Sequence, residues 1–173
     1  EGTISSTSLT FTSADWNTPQ TVTVTGVDDY VDDGDIAYAI VTAAAVSADT
    51  NYDGIDTTDV TVTNTDDDTA GIYILDTTGI TTEEGGVATV YVVLESEPTA
   101  NVTINFTSLD TTEGTVSPVS ITFTPEEWFI YQEVTITGVD DLIVDGDINY
   151  TVETSPATSS DPKYSGMNAS DLS

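Results

Sequence analysis

Residues 23–35 read TVTGVDDYVDDGD, and residues 135–147 read TITGVDDLIVDGD. The two stretches lie 112 positions apart, and residues 1–61 laid over 113–173 without a gap agree at 29 of 61 positions. Glu1-Gly2-Thr3 falls on Glu113-Gly114-Thr115, Trp16 on Trp128, Tyr38 on Tyr150, and Tyr52 and Gly54 on Tyr164 and Gly166. A unit of that length is far above the roughly 20–50 residues of solenoid repeats and matches one small domain. The chain therefore reads as similar domains in tandem: the later part of one repeat over residues 1–68, and a second repeat over 69–173. The second repeat has no full counterpart of the strand at Val60-Thr61-Val62-Thr63. We therefore expect a piece of a longer polypeptide, with strands supplied by neighbouring chains as the alternative.

Charge narrows the partners. The chain carries 31 acidic residues and one basic residue, Lys163, for a net charge of −30, and it has no His and no Cys. Nucleic acids and anionic membranes are recognised through Lys and Arg, so both are excluded as partners. No apolar run is long enough to span a bilayer, and no signal segment is visible at Glu1. Of the acids, 21 are Asp and 10 are Glu. The Asp residues gather in short clusters beside Gly, where a dense negative charge calls for a counter-ion.

The 34 Thr residues favour strands over long helices. Val22-Thr23-Val24-Thr25 alternates with period two, as do Ile36, Tyr38 and Ile40, whose counterparts are Ile148, Tyr150 and Val152. In the second repeat, Gly71 to Leu75, Val87 to Leu94 and Val102 to Phe106 read as further strands. Trp16 and Trp128 sit in polar connections, where each is expected to plug one end of a sheet sandwich; a carbohydrate platform is the competing reading. About seven short strands per repeat, with turn signals every 8 to 12 residues and no convincing helix, predict an all-β fold of tandem antiparallel sandwiches.

In order along the chain come Glu83-Glu84-Gly85-Gly86 before an alternating strand, Thr122-Phe123-Thr124-Pro125 before another, and Asp140-Asp141 followed by Asp145-Gly146-Asp147. An aromatic strand follows, and the unit exits through the type of segment seen at Val60-Thr61-Val62-Thr63-Asn64-Thr65-Asp66-Asp67-Asp68. This order resembles the Calx-beta domain, an immunoglobulin-like sandwich of sodium/calcium exchangers and of large bacterial surface and adhesion proteins. The resemblance implies an extracellular or cell-surface location and calcium at one end of the sandwich. It implies Glu84, with Glu83, and Asp140, Asp141 and Asp145 as ligands in the second repeat. In the first it implies Asp28, Asp29 and Asp33 with Asp66, Asp67 and Asp68. A further family Asp, before the Thr-Phe-x-Pro strand, has no clean counterpart; Asp110 lies nearest.

Ca2+ takes six to eight oxygens at about 2.3–2.6 Å, and Asp-rich flexible loops with backbone carbonyls meet that demand better than they meet the stricter octahedron of Mg2+. The competing reading makes these Asp-Gly loops plain turns, in which Asp bonds nearby amides; it is strongest for Asp35 and Asp147. A second cluster, Asp49-Thr50-Asn51-Tyr52-Asp53-Gly54, starts like an EF-hand loop but has Val60 where the bidentate Glu belongs. Its counterpart carries Lys163, and what the two copies share is Asp, Tyr and Gly, which points to a structural turn. Four sequons, at Asn101, Asn105, Asn149 and Asn168, are expected by chance in so Thr-rich a chain. With neither His nor Cys, the usual nucleophile–base pairs are absent, and no enzyme is expected. The function read from the sequence is a calcium-stiffened segment of an extracellular array, an adhesin stalk or surface fibre, partnered by neighbouring repeats. A glycan- or surface-binding module and a pilus-like filament assembled by strand donation are the alternatives.

Overall fold

The computed structural model describes residues 1–76, 80–144 and 146–173. Among the described residues there is no helix; all regular structure is β. The strands are β1 (Gly2–Ile4), β2 (Val24–Gly26), β3 (Ile36–Ile40), β4 (Val60–Asn64), β5 (Ile72–Asp76), β6 (Val87–Leu94), β7 (Val102–Ser108), β8 (Gly114–Ser117), β9 (Ser120–Phe123), β10 (Gln132–Gly138), β11 (Val152–Thr154) and β12 (Thr158–Ser159). Every pairing is antiparallel. Two compact units emerge: Glu1–Asp29 with Asp33–Asp67, and Tyr30–Asp32 with Asp68–Ser173. The tip of the first acidic loop, Tyr30–Asp32, goes with the second unit.

Unit one is two ribbons, β1 with β2 and β3 with β4. Thr-Val alternation suits a strand with one half-covered face. β3 and β4 accordingly run in register from Ile36 opposite Asn64 to Ile40 opposite Val60. A Cβ at Gly2 would meet the Tyr38 hydroxyl. None of its residues is fully buried. Trp16 is 66% exposed and plugs nothing, contrary to expectation. The reason is visible in unit two, where the counterpart Trp128 is partly buried against the core and its carbonyl accepts the Leu94 N–H at 3.2 Å. The strand that carries Leu94 has no counterpart within residues 1–67. The same absence explains why residues 8–11 form no strand although their counterpart, β9, does: β9 pairs with β7.

Unit two has two four-stranded sheets, one ordered β5-β6-β10-β8, the other built on β7, with β9 along one edge and β11 and β12 along the other. Alternation puts Val102, Ile104 and Phe106 of β7 inside, with Val90, Val92 and Leu94 of β6, Val134 and Ile136 of β10, and Ile121 and Phe123 of β9. These side chains form one cluster drawn from both sheets, an arrangement consistent with a β-sandwich. Full burial of each such side chain stabilises by about 1.5–3 kcal/mol, so this unit carries the chain's apolar stabilisation.

Several contacts recur 112 residues apart. Val27 N–H donates to Glu1 O and Val139 N–H to Glu113 O, both at 2.9 Å; Gly54 N–H reaches Ala45 O at 2.8 Å and Gly166 N–H reaches Ala157 O at 2.9 Å. Gly34 and Gly146 both turn the acidic loop with positive φ, at 82° and 81°, a conformation glycine adopts without a steric cost. Leu172 bridges Val152, occupying the position that Val60 holds opposite Ile40 in unit one.

Candidate functional site

The acidic loops are positioned by backbone, and several of their carboxylates are already engaged there. In unit one, Asp66 Oδ2 accepts the Gly34 N–H at 2.6 Å, and Asp35 Oδ1 accepts the Asp66 N–H at 3.0 Å. This reciprocal clip ties the GVDD…DGD loop to the chain leaving β4. The amide that Asp35 takes up lies 31 positions away and not within its own turn. Asn64, the last residue of β4, adds a hydrogen bond from its side-chain amide to Val27 O at 2.8 Å. Strand end and loop are therefore pinned together just ahead of Asp28.

Asp28, Asp67 and Asp68 each bring a carboxylate oxygen to within 4.8 Å of the other two, with Asp28 and Asp67 exposed and Asp68 half-buried. At such separations, two ionised carboxylates repel by about 1 kcal/mol in bulk-like water and by several kcal/mol where screening is weaker. The donor set is all carboxylate oxygen, and a chain without His or Cys offers no softer ligand. It fits a hard divalent cation. Asp29 and Asp33 are exposed on the same loop but are not gathered into this group.

In unit two, Gly138 holds the approach of two segments. Its N–H donates to Gly86 O at 3.0 Å, and a Cβ there would run into the Thr82 carbonyl. The turn with Glu83 and Glu84, both exposed, is thereby set beside the strand that leads to Asp140 and Asp141. Asp141 Oδ1 accepts the Ile143 N–H at 2.6 Å. Asp110 accepts the Thr112 N–H at 3.1 Å and its hydroxyl at 2.5 Å, and these bonds hold its pKa below the usual carboxylate value. No second three-carboxylate group occurs among the described residues; Asp145, expected to be a ligand, lies outside them.

The second cluster is a turn. Asp49 Oδ1 accepts the Asn51 backbone N–H at 2.9 Å and its side-chain amide at 2.8 Å, and Asp53 Oδ1 accepts the Ser47 N–H at 3.0 Å. In unit two the same motif becomes a clip. Asp161, 3% exposed, accepts the Thr99 N–H at 2.7 Å and the Lys163 N–H at 2.8 Å. Burial, the largest single influence, raises its pKa, but the bonds from Thr99 and Lys163 and the Lys163 charge outweigh it, and the net direction is down. A carboxylate depressed in the folded state stabilises fully above the unfolded value of about 3.9, and this contribution is lost as pH falls through the folded one. The stability gap between wild type and Asp161→Asn should therefore be about 1–3 kcal/mol at pH 7 and shrink below about pH 4 in urea melts. A gap that is constant with pH would mean that the carboxylate charge is not what Thr99 and Lys163 recognise.

Sequence reasoning missed Asp32. Its carboxylate pairs with the Lys163 ammonium and accepts the Ala70 N–H at 2.9 Å; these bonds, the one from Lys163 first, lower its pKa. The available signal was Lys163 itself, a single cation in a chain with 31 acids.

The structure defines an all-β protein of antiparallel sheets with a three-aspartate group. Comparison with protein-family models, with curated proteins and with solved structures finds no match.

Proposed function

We propose that the chain is a non-enzymatic segment of an extracellular repeat array of Calx-beta-like, immunoglobulin-like sandwiches, an adhesin stalk or surface fibre stiffened by Ca2+. The observation that carries the reading is the group formed by Asp28, Asp67 and Asp68. Asp67 and Asp68 belong to the acidic run that follows β4 in the chain. Without a cation their charges repel; a bound Ca2+ would neutralise them and restrict the backbone that bears them. The recurrence of the GVDD…DGD loop supports an array.

Thermal unfolding in EGTA and then in millimolar Ca2+, with Mg2+ as control, tests this. Ca2+ at a hundredfold excess over Kd should raise stability by about 2.7 kcal/mol per site, Mg2+ should do less, and Asp67→Asn should remove most of the gain. No Ca2+-specific shift would reduce the acidic loops to solvated turns.

A second reading rests on a separate feature of unit two. Tyr73, Glu95, Trp128, Phe129 and Tyr131 line one open groove; the Tyr73, Phe129 and Tyr131 rings are exposed, and such rings beside a carboxylate suit the stacking and hydrogen bonding of a sugar. Glycan binding that persists in EGTA and is lost in Phe129→Ala would favour this module over the stalk.

A further inference from the structure

Unit two includes a tripeptide distant in sequence, Tyr30–Asp32. The Tyr30 ring lies 5.9 Å from the Trp128 ring, and the Tyr30 carbonyl accepts the Glu97 N–H at 2.6 Å. Asp32 is held by Ala70 and Lys163, and its side chain is 18% exposed. Ring, backbone and carboxylate of the tripeptide are each engaged by residues of Asp68–Ser173.

The same loop recurs 112 positions later with identical flanks, Gly-Val-Asp-Asp before and Asp-Gly-Asp-Ile after. Its tip is Leu142, Ile143 and Val144, three aliphatic residues in one of the most acidic stretches of the chain. Leu142 is 100% exposed and Val144 103%. Apolar side chains so placed gain nothing from solvent and are covered when a matching surface is supplied.

We infer that residues 142–144 are a docking peg for a second copy of the domain formed by residues 68–173, seated as that domain seats Tyr30–Asp32. The occupant follows from equivalence: the flanks are the same, and Trp128, Glu97, Ala70 and Lys163, which engage Tyr30 and Asp32, all belong to that domain. The inference rests on the array part of the proposed function and not on calcium. Val144 stands where Asp32 does, so an identical receiving copy leaves its lysine unmatched. Val144→Asp should then tighten the docking by restoring the ion pair, and Leu142→Asp should weaken it by placing a charge against the aromatic side.

The absence of cysteine makes the test direct. A thiol introduced as Val144→Cys should react freely with a maleimide in the 173-residue chain. When the chain is extended in register by appending a copy of residues 62–173 after Ser173, it should react at least about tenfold more slowly, and Leu142→Asp in that extended chain should restore the fast rate. Equal rates in the two chains, with the appended copy folded, would overturn the inference. A second arm needs no extension: Tyr30→Leu with Val31→Ile grafts the aliphatic tip onto the occupied seat, and a thiol at Asp32→Cys reports it. Slow labelling, as in Asp32→Cys alone, supports the peg, and fast labelling overturns it. Both arms are run in EGTA, so protection or its loss is read independently of the Ca2+ titration.

Discussion

Tyr164→Ala is expected to lower the unfolding free energy of unit two by about 3–5 kcal/mol, the range for emptying a large buried aromatic site. Tyr164 is 1% exposed and packs in the core cluster. Its hydroxyl donates to Ser96 O at 2.6 Å, accepts the Ser96 N–H at 3.1 Å and meets Ser96 Oγ at 2.9 Å. Ser96 is itself buried, two residues past the end of β6, so the tyrosine closes the backbone of the β6–β7 connection. Tyr164→Phe keeps the packing but strands the Ser96 N–H and carbonyl, at a cost of about 1–3 kcal/mol. Tyr52, the counterpart in unit one, is 59% exposed, and Tyr52→Ala should change stability by no more than about 0.5 kcal/mol. Urea unfolding of the three variants checks all of this. A Tyr164→Ala cost near that of Tyr52→Ala would mean that the core does not depend on this clip.

Gly138→Ala should cost about 3 kcal/mol, at the upper end for an added methyl in a packed site. The Cβ would strike the backbone of Thr82, not the movable end of a side chain. Relief requires either the β10 terminus or the turn before Glu83 to shift, and the Gly138 N–H bond to Gly86 would stretch with it. Gly26→Ala, the matching change in unit one, meets only the Asn64 side chain, which can move at the expense of its bond to Val27 O, so its cost should be smaller. Thermal melts of the pair compare the two positions. If Gly138→Ala is as well tolerated as Gly26→Ala, the close approach of the two acidic segments is not enforced at this glycine.

Much of this architecture is legible in residue patterns. Alternation in Val87–Leu94 and Val102–Ser108, and the Thr-Val runs, announce strands because a strand's two faces differ in burial at every second residue. The positive-φ turns at Gly34, Gly54, Gly146 and Gly166 coincide with the Asp-Gly pairs and the Tyr-x-Gly motif seen in the sequence. Candidate ligands are harder to read. Asp28, Asp66, Asp67 and Asp68 look alike in sequence, yet Asp66 turns an oxygen onto the Gly34 amide while the other three converge. Asp110 and Asp141 are taken up by amides two residues ahead, a bond any Asp can form locally. Composition reports that carboxylates are present, not which of them find an amide first.

Trp16 and Trp128, Tyr52 and Tyr164, and the two acidic-loop tips separate what each level decides. Their shared spacing and flanking residues are properties of the chain, and they were sufficient to predict strands, turns, an all-β fold and the places where acids cluster. Whether a given copy is buried was decided by tertiary structure. Burial depends on surfaces contributed from elsewhere in the chain: Tyr164 belongs to, and Trp128 packs on, a core cluster that includes residues of β6 and β7, and those strands have no counterparts within residues 1–67 to cover Trp16 and Tyr52. The Asp32–Lys163 pair is of the same kind, joining residues 131 positions apart. Local sequence sets what a segment can become, and the free energy that selects among those states comes from contacts that only the folded chain brings together.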